Sequence, residues 1–110
     1  MAMVPIRDLA AAHLASHHPA SLGWTIQRDL LLENGAELHF LVGRARDQEM
    51  ILAHCKEERG SVLFDQVDQA AALAAEAGAG AAILFVPIGS YTPPIILEYA
   101  ARQHVRIEAL

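Results

Sequence analysis

An unbroken apolar run, Ala81-Ala-Ile-Leu-Phe-Val86, constrains this chain more than any other feature. A short run without polar alternation offers no face to water, so it predicts a strand covered on both sides. It closely follows a segment of helical periodicity, Val62 to Ala77. There Leu63, Val67, Ala70, Ala71 and Ala74 form one stripe, and Asp65, Asp68 and Glu76 lie off it. Gly78 and Gly80 stop that helix. A helix leading directly into a buried strand is what a strand-helix-strand crossover requires, and it implies a sheet with parallel members and helices packed on it.

The rest of the chain fits around that crossover. Ile6, Leu9, Ala10 and Leu14 recur at helical spacing between Pro5 and Ser16, with Pro5 suited to a first turn and His17-His18-Pro19 ending the helix. After Gly23, Trp24 to Leu32 reads as a strand closed by the turn Glu33-Asn34-Gly35. Glu37–Val42 and Glu49–Lys56 read as a β-hairpin across the charged loop Gly43–Gln48. In the second arm Met50, Leu52, His54 and Lys56 share one face and Ile51, Ala53 and Cys55 the other. Apolar residues on both faces make it central. Thr92-Pro-Pro starts a last helix reaching Gln103, and Val105–Leu110 closes the chain as an edge strand. The predicted fold class is α/β, one domain over residues 1–110, with a mixed sheet flanked by helices in the order αβββαβαβ.

Composition excludes several classes. With 54% hydrophobic and 19% charged residues the chain has the means to fold. Alanine, concentrated in Ala70–Ala82, buries little area per residue, so Leu, Ile, Val and Phe must supply the core. The longest apolar stretch, Ala79 to Ile88, is about half of the ~20 residues a membrane helix needs. The beginning, Met1-Ala-Met-Val-Pro-Ile-Arg-Asp, lacks the pattern of a secretory leader, and the lone Cys55 cannot form an internal disulfide; both features predict a reducing cytoplasm. A net charge of −5 opposes a surface made to grip nucleic acid as a whole, so any such contact must be local, through residues such as Arg44, Arg46, Lys56 and Arg59.

Chemistry-bearing residues are sparse. Gly78-Ala-Gly follows a helix, whereas a nucleotide-binding glycine loop follows a strand and opens a helix, so a helix cap is the reading. Ser61 and Ser90 lack a nucleophile elbow. None of the 6 histidines has a spacing that puts two ligands on one helical face. His13, His17 and His18 are expected on the exposed side or end of the first helix, and His39 and His54 within strands as hydrogen-bonded residues. Lys56 ends an apolar central strand, with Glu37 on the neighbouring one. A carboxylate there would hold a divalent cation while the ammonium orients water and stabilises phosphoryl charge, or the lysine simply reaches solvent.

The stretch Ile51-Leu-Ala-His-Cys-Lys-Glu-Glu-Arg-Gly60, the helix after it, and Gly80-Ala-Ala-Ile-Leu-Phe-Val-Pro-Ile-Gly-Ser-Tyr-Thr-Pro-Pro94 resemble the PD-(D/E)xK nuclease superfamily, in particular its Mrr-type restriction endonuclease-like branch. Gly89-Ser-Tyr91-Thr92 and Glu98-Tyr-Ala-Ala101 are similar to the closing unit of that branch, and Gly23-Trp-Thr-Ile and Asn34-Gly-Ala-Glu37-Leu to its opening strands. The resemblance implies a restriction endonuclease-like fold and a catalytic pair, Glu37 and Lys56. It further implies a divalent cation, Mg²⁺ or Mn²⁺, held by Glu37, His54 and, from the first helix, Asp8. His54 stands where the family places an acid or Gln, a departure that favours Mn²⁺ over Mg²⁺ and marks the motif as degenerate.

Two functions follow. One is a metal-dependent phosphodiesterase acting on DNA or RNA. The other is an inactive nuclease-fold module serving self-association or a protein partner, with no membrane attachment in either case.

Overall fold

The computed structural model describes residues 4–110; the first three residues of the segment read for a leader lie outside them. In chain order the elements are α1 (Ile6–His17), a single 3₁₀ turn (Ala20–Leu22), β1 (Trp24–Leu31), β2 (Glu37–Arg44), β3 (Glu49–Cys55), α2 (Phe64–Ala77), β4 (Ala81–Val86), α3 (Pro94–Arg102) and β5 (Val105–Ala109). The order αβββαβαβ is the one the sequence predicts, with the 3₁₀ turn as an addition. The sheet runs β1-β2-β3-β4-β5. Its first three strands are antiparallel neighbours, and β3-β4-β5 are parallel. Strand β3 is therefore both the centre of the sheet and the place where its direction of pairing changes.

Helices cover both faces, which is why β3 and β4 can be apolar on both sides. On one face α1 buries Ile6, Ala10 and Leu14 against Phe40, Ala53 and Phe85. On the other, α2 and α3 bury Val67, Ala70, Ile96 and Ala100 against Leu52 and Leu84. Buried alanines on all three helices bring helix backbones close to the sheet, so the alanine-rich composition shortens the helix-to-sheet distance rather than filling volume. The left-handed Gly78 (φ 74°) closes α2, with its N–H on the carbonyls of Ala74 and Ala75. The same helix starts at Phe64 rather than Val62. Ser61 bridges to Tyr91, and the N–H of Val62 donates to the Tyr91 carbonyl at 2.9 Å, holding that stretch extended until Leu63.

One irregularity shapes the site. Leu38, His39 and Phe40 are all buried although they are consecutive in a strand. Leu38 joins the α2/α3 layer and Phe40 the α1 layer. On the partner strand Asp29 takes a left-handed φ of 57° and drops out of the pairing register between Arg28↔Phe40 and Leu30↔Leu38. The β2–β3 ladder runs from Arg44↔Glu49 only as far as Phe40↔Ala53. Beyond it, the Cys55 N–H finds the ring nitrogen Nδ1 of His39 at 2.9 Å. A side chain thus replaces a ladder bond where β2 turns away.

His17 and His18 lie at the end of α1 as expected, but His13 does not face solvent: its ring packs edge-on to Phe85 (5.4 Å), and its Nε2 lies 3.0 Å from Glu108 on β5. Among the described residues no helix is long and apolar enough to cross a membrane.

Candidate functional site

The first turn of α1, the kink of β1, the start of β2 and the residues just past β3 meet at one rim of the sheet. At their centre is Arg7. Its Nε donates to Glu57 at 2.7 Å, and its Nη1 lies 3.5 Å from Asp29 and 3.6 Å from Glu37. Arg28 continues the network, with Nη2 2.9 Å from Asp8 and Nε 3.6 Å from Asp29, its guanidinium over the Phe40 ring. The carboxylates are half exposed or more, so each pair separately contributes little stability in high dielectric. Together they fix the local arrangement of charge.

Next to this network the rings of His39 and His54 stack at 4.0 Å. Accepting the Cys55 N–H leaves His39 neutral, with its proton on Nε2. Burial, with the positive charge of Arg7 behind it, pulls the His39 pKa down. His54 is pulled down to about 4, first by burial and then by His39 and Arg7. At neutral pH both imidazoles are therefore uncharged. The Nδ1 of His54 is buried with no hydrogen-bond partner.

The backbone of Lys56 prolongs the parallel pairing, its N–H donating to the Phe85 carbonyl at 2.8 Å. The Lys56 ammonium donates to the Glu58 carbonyl at 2.6 Å. Together with Gln66 and Gln69 from α2, His54 and Lys56 line a cleft of about 290 Å³ at the carboxyl end of β3. Cys55 cannot serve as a nucleophile here, since burial pushes its thiol up to about 12.

Of the residues singled out from the sequence, His54 and Lys56 share the cleft, Glu37 is held by Arg7, and Asp8 is held by Arg28. Glu37 makes no hydrogen bond or ion pair to His54 or Lys56 among the described residues. The implied divalent cation does not fit this arrangement: among the described residues no three His, Cys, Asp or Glu side chains form a group that could hold a metal ion. Arg7, Asp29 and Glu57 escape the sequence reading; His39 is hydrogen-bonded within the sheet as expected, whereas the buried Nδ1 of His54, expected to be hydrogen-bonded too, has no partner. The available signal was the position of Arg7, one residue along from buried Ile6 at the start of the apolar stripe of α1, which places it over the sheet's rim.

No family model matches the chain, and no curated protein matches it either. Solved structures do. A protein of unknown function, AF1548, superposes with a TM-score of 0.67 at 12% identity, over 94% of this chain and 55% of its own. A repair endonuclease from Pyrococcus abyssi gives 0.58 at 16%, over 94% of this chain and 46% of its own. The double-stranded DNA complex of EndoMS gives 0.59 at 17%, over 100% of this chain and 46% of its own. At such identities the likeness is one of fold alone, and that fold is the restriction endonuclease-like one, a mixed sheet flanked by helices. The chain spans about half the length of each of these proteins.

Proposed function

We propose that the protein is a nuclease-fold module that does not cut nucleic acid and works through protein association, with a second copy or another protein. One observation carries this reading: every residue that catalysis would need is committed elsewhere. Glu37 is paired with Arg7 and Asp8 with Arg28, the Lys56 ammonium donates to the Glu58 carbonyl, and His54 is an uncharged, largely buried imidazole. Phosphodiester cleavage asks for a cation beside a carboxylate and a lysine turned to the substrate, whereas here the carboxylate faces a guanidinium and the lysine a backbone carbonyl, which supports the reading.

Charge supports the same reading. Of the 8 Lys and Arg side chains, Arg7, Arg28, Arg44, Arg102 and Arg106 each sit on a carboxylate. With Lys56 turned to the Glu58 carbonyl, Arg46 and Arg59 are left for phosphates, too few to offset the net negative charge. Meanwhile Leu63, Phe64, Tyr91 and Ile95, around the starts of α2 and α3, are exposed apolar side chains of the kind protein interfaces use.

The test is a nuclease assay on plasmid, single-stranded DNA and RNA with Mg²⁺ or Mn²⁺, run beside analytical ultracentrifugation. No cleavage, together with a concentration-dependent mass that Ile95→Asp reverses, is the expected result. Metal-dependent cleavage that Lys56→Ala abolishes would overturn it in favour of a phosphodiesterase built on Glu37, His54, Asp8 and Lys56. Binding of DNA without cleavage, lost in Arg46→Ala with Arg59→Ala, would move the partner from protein to nucleic acid.

A further inference from the structure

We propose that the outer edge of β5 is a self-complementary docking surface, on which a second copy of this chain pairs antiparallel about Ile107 and joins two sheets into one. The proposal rests on the reading of the protein as an association module. It names a second copy as a partner and places it on a surface separate from the apolar patch around Ile95.

Pairing with β4 decides which backbone groups of β5 are free. The Ala82 N–H donates to the His104 carbonyl, the Leu110 N–H to the Val86 carbonyl and the Ile88 N–H to the Leu110 carbonyl, so the even-numbered residues aim their backbone groups at β4. Alternation turns the N–H and C=O groups of Val105, Ile107 and Ala109 to the outer edge, where no strand meets them among the described residues. Antiparallel pairing sets such outward-facing residues opposite one another. With Ile107 opposite its own copy, Val105 meets the partner's Ala109.

That register also matches the charges. Val105 and Ile107 join the core under α2 and α3, which leaves Arg106 and Glu108 on the α1 face, Glu108 beside His13. Arg106 then stands across from the partner's Glu108, and Glu108 across from the partner's Arg106. These are the closely spaced positions, with Cα atoms ~4.5 Å apart, where side chains interact most. Arg106 already lies 2.7 Å from Glu108 of its own strand, so the four charges alternate around a square with opposite signs along every side. The neighbouring registers that keep outward groups facing each other set Arg106 against the partner's Arg106, or Glu108 against the partner's Glu108. Like charges oppose both slips.

The other edge of the sheet is blunted. In β1 the exposed Asp29 takes a left-handed φ of 57° and leaves the pairing register, a break that hinders addition of a strand. Strand β5 has no proline and pairs with β4 without interruption. Beside its edge Leu97 of α3, 47% exposed, lines a cleft of about 560 Å³ with Ala101, Arg106 and Ile107. Ile95 belongs to another flank of that helix, in a groove with Leu63 and Phe64.

The experiment is sedimentation velocity on wild type, Arg106→Glu, Glu108→Arg, an equimolar mixture of those two variants, and Ile107→Pro, with circular dichroism confirming that each is folded. Wild type should be a dimer. Each charge variant should weaken that dimer at least about tenfold, since two cross-strand pairs turn from attraction to repulsion. Their mixture should recover it, because an all-acidic strand then faces an all-basic one. Ile107→Pro removes an N–H that β4 does not use and should be monomeric. Ile95→Asp should keep this dimer and lose only the association beyond it. A monomeric wild type overturns the proposal, as does a dimer that the charge variants leave unchanged or a mixture that stays monomeric. If Glu108→Arg does not fold, since Glu108 also meets His13, Arg106→Glu and Ile107→Pro decide: folded variants that dimerise as wild type does overturn the proposal, and monomers support it. Cleavage of nucleic acid by wild type would instead overturn the silent-module reading, whatever the masses return.

Discussion

The centre of the sheet and its rim just past the end of β3 are neighbours yet follow different physics. At the centre Leu52, Ala53, Leu84 and Phe85 are almost completely buried, and their contribution is apolar area removed from water. At the rim Arg7, Arg28, Asp8, Asp29, Glu37 and Glu57 form a half-exposed charge network whose pairs are screened by solvent. The fold is held by the first region and would tolerate rearrangement of the second. The fold can therefore keep its architecture whatever charges its rim carries.

The largest expected effect tests the centre. Phe85→Ala should destabilise by about 3–5 kcal/mol and Leu52→Ala by about 2–5 kcal/mol, since each opens a cavity between β-sheet and helices. Denaturant midpoints measure this, and values near zero would break the comparison at its stronger end.

An intermediate effect is expected from His54, which sits between the two regions. Its folded pKa of about 4 lies below the ordinary 6.5, with burial as the main cause. Between those values the unfolded chain takes up a proton that the folded one refuses. The contribution is therefore complete above about pH 6.5 and is lost as the pH falls towards 4, a change of about 1–2 kcal/mol once solvent screening is allowed for. His54→Gln should flatten the stability profile across that window. His39 is shifted in the same direction, so some slope should survive in the variant.

Smaller still, Arg7→Gln should cost about 1 kcal/mol or less, despite touching three carboxylates, if the rim is as solvent-screened as its exposure indicates. A loss as large as that of Phe85→Ala would show that the network is structural. The smallest effect should come from Arg102→Ala on α3, whose pair with Glu98 is about 70% exposed on both sides; thermal unfolding should shift by no more than about 0.5 kcal/mol.

Much of the architecture was legible in the residues themselves. The unbroken run of β4, the two-faced apolar pattern of β3, Gly78 beyond α2 and Pro93-Pro94 at the start of α3 are signals read within a few neighbouring positions, because strand and helix periodicity and helix capping are local properties of a chain. The adjacency of His54 and Lys56 in one cleft likewise followed from their spacing on one strand. The kink of β2 was not legible, for alternation predicts Leu38 and Phe40 on one face. Only the packing of two helical layers shows each taken up by a different core. Nor was the partner of Glu37. Arg7 and Glu57 lie 50 positions apart, and which carboxylate meets which guanidinium depends on how α1 settles across the sheet. Local pattern determined the elements and their order; the assembled fold alone decided where the charges meet, because ion pairing depends on distance in space, and sequence periodicity carries no information about that distance.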